Sequence, residues 1–190
     1  MAFKTHPNGG GLVQDTAYAA PTAYIAADCY VEDNATVLDS AHIDEGTNVR
    51  GNARVYQSAR VSGAIVDDFA QIYGSVRVVG ETVVSGNAQV YGNAQVSGTS
   101  QIFDFAQIHG NSHVSGDSQV SGYAQVYGNA QVSGTSQVLD HAQIYESAQA
   151  VNSYLGGTTL LYGNAHFSNT SASGGSYFLD CLFVDGNKVR

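Results

Sequence analysis

The chain has 190 residues and a net charge of −9, with only 12% of residues charged. Seven Lys and Arg in all argue against a phosphate-backbone binder, which releases counterions through many basic contacts. No run of about 18 apolar residues is available to span a membrane as a helix.

Residues 1–10 read as an irregular N-terminal cap. The opening MAFKTHPNGGG lacks the apolar stretch of a secretory leader, so a cytoplasmic setting is the expectation. The two cysteines, Cys29 and Cys181, lie near opposite ends and cannot meet within one elongated chain, so they are expected as reduced thiols.

From residue 11 the chain steps in sixes. Aliphatic or small residues fall at Val13, Ala19, Ile25, Val31, Val37 and onward to Val61. A five-residue step follows, and the six-residue spacing resumes at Val66 and holds to Ala150. A second five-residue step leads to Leu155, Leu161 and Phe167. Two residues before each aliphatic stands a small side chain, such as Ala35, Ala53 or Ala94. Two residues apart is one strand parity, so both point inward and the residue between them points out. Glycines recur at one phase of the unit and read as turns, not as disorder. NAQVYGNAQVSGTSQIFDFAQIHG (87–110) returns 36 residues later as YAQVYGNAQVSGTSQVLDHAQIYE (123–146). A fixed short period of this kind predicts a solenoid. Three hexads make one triangular coil, and the count gives about nine coils of 18 residues over 11–169. Residues 170–190 read as a C-terminal cap, with 177–185 as a strand lying over the open end of the core.

The residues carrying the pattern, Val90, Val96, Ile102 and Ile108 with Ala94, Ser100 and Ala106 two before the aliphatics, resemble the hexapeptide-repeat superfamily. The resemblance implies an all-β fold, a single left-handed parallel β-helix; the left hand comes from the resemblance and not from the spacing. The opening HPNGGGLV with the GNA-type hexads that follow is also similar to small repeat proteins of bacteria and phages.

Outward positions sort into columns. On one face the residue after the aliphatic reads Tyr56, Tyr73, Tyr91, His109, Tyr127, Tyr145 and Tyr162. Three before the aliphatic stand Phe69, Asn87, Phe105, Tyr123 and His141, with Gln71, Gln89, Gln107, Gln125 and Gln143 between the two columns. Aromatic and amide ladders stabilise any stacked parallel sheet. The same face also offers a contact surface, because Tyr combines apolar area with a hydroxyl. Phe69, Tyr73, Tyr91, Phe105, His109, Tyr123, Tyr127, His141, Tyr145 and Tyr162 are therefore the candidate binding residues. A second face carries Ser97, Ser115 and Ser133 beside Gln95, His113 and Gln131; a third alternates Ser85, Phe103, Ser121 and Leu139. Thr99 and Thr135 are too scattered for the Thr rows of an ice-binding face.

The superfamily resemblance implies acyltransferases that use acyl-CoA and carry a catalytic His on a loop leaving the helix. No such excursion interrupts residues 11–150, which leaves His109, set in the ring column, as the candidate base. A γ-class carbonic anhydrase, which shares the fold, needs three His around zinc; Tyr73 stands where a third would be required. The expectation is thus a non-enzymatic scaffold without cofactor or metal. It self-associates, or takes a protein or carbohydrate partner, through the Tyr/Gln face. The setting is the cytoplasm of a bacterial cell, or a virion if the chain is a phage or prophage product. Hexapeptide-repeat acyl transfer is the alternative.

Overall fold

In the computed structural model, which describes residues 2–185 and the backbone of 187–189, the chain winds into three parallel sheets. Two have 11 strands and one has 10, and strands three apart in sequence order are hydrogen-bonded neighbours. This is a β-solenoid. Each coil places one short strand on each of three faces. The first face, starting at Tyr18–Ala19, carries the Tyr column; the second starts at Tyr24–Ile25; the third starts at Leu12–Gln14. Ten coils run from Leu12–Gln14 to Leu182–Val184, about 45 Å of rod at 4.8 Å per strand.

The solenoid is one coil longer than the hexad count predicts. Residues 171–184 supply strands Ser171–Ala172, Tyr177–Leu179 and Leu182–Val184, each paired parallel to the coil before. The expected strand across the core, 177–185, is instead two strands of this tenth coil. Five-residue steps from Phe167 to Ala172 and from Phe178 to Phe183 hide it from a six-residue template. Antiparallel strands close the ends: Phe3–Thr5 pairs with Leu12–Gln14, and Asn187–Val189 pairs with Leu182–Val184. Met1, Gly186 and Arg190, parts of the expected caps, lie outside the described residues. The caps shield backbone edges that would otherwise template further strands.

The core has two tiers. The aliphatics from Ile25 to Phe167 are fully buried or nearly so, and the small residues two before them are buried as well. Each buried Val contributes about 1.5–3 kcal/mol before entropy is subtracted. A single coil buries too little to fold alone, so stability is a sum over neighbouring coils. The small tier differs between corners. Where the first face turns to the second and the third to the first, it is mostly Ala. Where the second turns to the third, it is mostly hydroxyl: Thr47, Thr82, Ser100, Ser118 and Ser136 donate to the carbonyls of Asp44, Val79, Ser97, Ser115 and Ser133 at 2.6–3.3 Å. Buried hydroxyls are tolerated there because the turn supplies an acceptor.

The 36-residue period has a physical cause at the corner between the third and first faces. Its left-handed turn position alternates between Asp and Gly. Asp33, Asp68, Asp104 and Asp140 hold φ of 56–60°. Their carboxylates accept from the backbone N–H of Gly51, Gly86, Gly122 and Gly157 in the next coil, at 2.8–3.1 Å. At Gly122 a Cβ would stand 2.8 Å from the carbonyl oxygen of Asp140, and at Gly51 and Gly86 it would stand 2.8 Å from the backbone nitrogen of Asp68 and Asp104, so glycine fits beneath these Asp-bearing turns. Asp and Gly therefore recur every second coil.

Candidate functional site

The first face is built by its outward positions. Along it the rings of Tyr56, Tyr73, Tyr91, His109, Tyr127, Tyr145 and Tyr162 form one unbroken stack. Successive centroids are 4.7–5.1 Å apart and the planes tilt by 3–9°. The in-register ladder sets this spacing: Gln71, Gln89, Gln107, Gln125 and Gln143 pair directly from coil to coil. Both columns are half-buried. They are also cross-linked, because the hydroxyls of Tyr56, Tyr73, Tyr91 and Tyr127 donate to Oε1 of Gln71, Gln89, Gln107 and Gln143 one coil on, at 3.3–3.4 Å. Burial in the stack pushes the phenols of Tyr73, Tyr91 and Tyr127 above their ordinary value.

His109 interrupts this zipper. Its ring stacks between Tyr91 and Tyr127 at 4.7 and 5.0 Å, but it has no hydroxyl to offer Gln125. Burial holds its imidazole below the usual histidine value of 6.5, toward the neutral form. The geometry is that of a ring in a ladder. His113 sits on the second face and His109 beside the first, so a corner separates the pair. Among the described residues no three His, Cys, Asp or Glu converge as a metal site. Every connection between Leu12–Gln14 and Leu182–Val184 is four residues or fewer, so no long loop leaves the coil to present a catalytic side chain.

The second aromatic column lies on the corner leading into the first face. Phe105, Tyr123 and His141 stack at 4.9 and 5.1 Å. Phe69 stands apart, because Asn87 takes the intervening place. Unlike the Tyr column, this row faces outward: Phe69 is 58% exposed, Phe105 46% and Tyr123 54%. The candidate residues thus divide in two. Tyr73, Tyr91, His109, Tyr127, Tyr145 and Tyr162 are half-buried in a self-satisfied ladder, and Phe69, Phe105, Tyr123 and His141 project from a ridge beside it. On the third face Phe103 and Leu139 are half-buried and Ser121 is buried.

Sequence columns missed one cluster. Arg60 and Arg77 are in-register neighbours on the second face. The signal was present, since four arginines fall within residues 50–77 and no Lys or Arg lies between 78 and 187.

Residues 124–140, which span one strand of each face and the two corner turns between them, match the family described as the YdcK Beta solenoid repeat. No curated protein matches the chain. With three stacked parallel sheets, the match marks the chain as a β-helix repeat protein.

Proposed function

We propose that this β-helix repeat protein is a non-enzymatic scaffold that self-associates through the aromatic ridge bordering its first face. The observation that carries the reading is the exposure of the stacked rings Phe105 and Tyr123, beside a face whose strands from Gln71 to Ile144 hold no charged side chain. Contiguous exposed apolar surface on a soluble chain marks a contact surface. The acidic residues beside the ridge, Asp68, Asp104 and Asp140, have their carboxylates engaged by the backbone N–H of Gly86, Gly122 and Gly157 in the next coil. Rings supply apolar area there, and rigid ladders lose little entropy on docking. The short connections and the laddered His109 favour this reading over acyl transfer.

The test is solution mass. Phe105→Ser with Tyr123→Ser removes the ridge without touching the core. The expected outcome is an oligomer for the parent chain and a shift towards monomer for the variant.

A further inference from the structure

Two of the four clustered arginines have partners. Arg50 Nε contacts Asp67 Oδ2 at 2.7 Å, and Arg54 lies 5.6 Å from the centroid of the Tyr56 ring. Arg60 and Arg77 differ. They are directly opposite each other on adjacent strands of the second face, both are exposed, and neither has an ion pair among the described residues. Strands about 4.8 Å apart bring two like charges side by side, which is unfavourable unless a counter-charge is shared. Further along the same column the chain uses Gln95, Gln131 and Gln149, so the register does not require cations.

Grooves flank the pair on both sides. One is lined by His42, Asp44, Glu45 and Ser62 as well as the arginines. Its carboxylates are engaged, Asp44 by His42 Nε2 at 3.3 Å and Glu45 by the Ser62 hydroxyl at 2.6 Å. The other groove contains Ser58, Ser75, Asn93 and Gln95 with Arg60 and Arg77, and no acidic residue. Its polar lining is two guanidiniums, two hydroxyls and two amides, all able to donate. We infer that this second groove binds a phosphate-class oxyanion, held by the guanidinium forks of Arg60 and Arg77. A dianion matches the two charges, and planar guanidinium forks suit tetrahedral oxyanions in two-point contact. The inference does not depend on the aromatic ridge, which lies elsewhere on the coil.

The experiment titrates inorganic phosphate against the full chain at constant ionic strength, with chloride as the balancing anion. Thermal midpoint and phosphorus-31 line width are followed, and a parallel arm uses acetate. Binding to the folded state raises the midpoint with ligand concentration. The parent chain should respond to phosphate. Arg60→Gln and Arg77→Gln should each weaken the response about ten-fold, the loss of one charged hydrogen-bond pair. Arg54→Gln should leave it unchanged. Three results would overturn the assignment: no rise beyond the chloride control, the same rise in the Arg60→Gln/Arg77→Gln double variant, or an equal rise with acetate.

Discussion

Gly122 and Gly46 share a φ of 69° but meet different neighbours. An added Cβ at Gly122 would stand 2.8–2.9 Å from the backbone oxygen, Cα and nitrogen of Asp140 in the next coil. At Gly46 the nearest atom is a side-chain oxygen of Asp28 at 3.9 Å. Gly46→Ala therefore carries only the left-handed strain, about 1–2 kcal/mol. Gly122→Ala carries the same strain plus an overlap that rigid backbone cannot relieve, a further 1–3 kcal/mol or so. The reduced entropy of the unfolded chain offsets both variants alike, so their difference isolates the approach between coils. Urea unfolding of both variants, with their slopes compared, measures it. Gly122→Ala should fall below Gly46→Ala by roughly 1–3 kcal/mol. Costs within about 0.5 kcal/mol of each other, below the effect overpacking produces, would mean that the Asp/Gly alternation is not a packing constraint.

Other expectations follow from the same contacts. Ser112 Oγ is buried without a partner in a column otherwise mostly Ala, so Ser112→Ala should be neutral or stabilising. Ser118→Ala, which loses a 2.7 Å bond to the Ser115 carbonyl, should cost about 1 kcal/mol by chemical denaturation. The neutral form of His109 is favoured in the folded chain, so the unfolded chain takes up that proton more readily. Stability is therefore full above pH 6.5 and declines as pH drops through and below it; His109→Tyr should remove that component of a pH series and restore a hydroxyl for Gln125. Burial pushes the Cys29 thiol up to about 11, and its side chain is inaccessible. A thiol reagent at pH 8 should therefore modify Cys181 in the native state and Cys29 only on unfolding.

The architecture was readable because one physical constraint repeats. An inward aliphatic every six residues leaves a record from Val13 to Phe167, and the ring column keeps register through both five-residue steps. The tenth coil escaped because Ala172, Phe178 and Phe183 follow alternating steps of five, six and five. The 36-residue period was visible as a string, but its cause was not. The alternation of Asp104, Gly122 and Asp140 becomes a constraint only when a carboxylate is seen on the next coil's amide. Columns also place rings without telling their exposure. Tyr91 and Phe105 look equivalent as letters. One is hydrogen-bonded to Gln107 at 3.4 Å, and the other is 46% exposed on a corner. That distinction moves the candidate contact surface from the Tyr stack to the ridge.

Sedimentation equilibrium over a range of concentrations measures whether the chain associates through the ridge. The parent protein should show a mass above that of one chain, reduced by Phe105→Ser/Tyr123→Ser and unchanged by Tyr91→Phe, which alters only the half-buried stack. A parent chain that stays monomeric throughout, or a ridge variant with the parent's mass, would contradict association through the ridge.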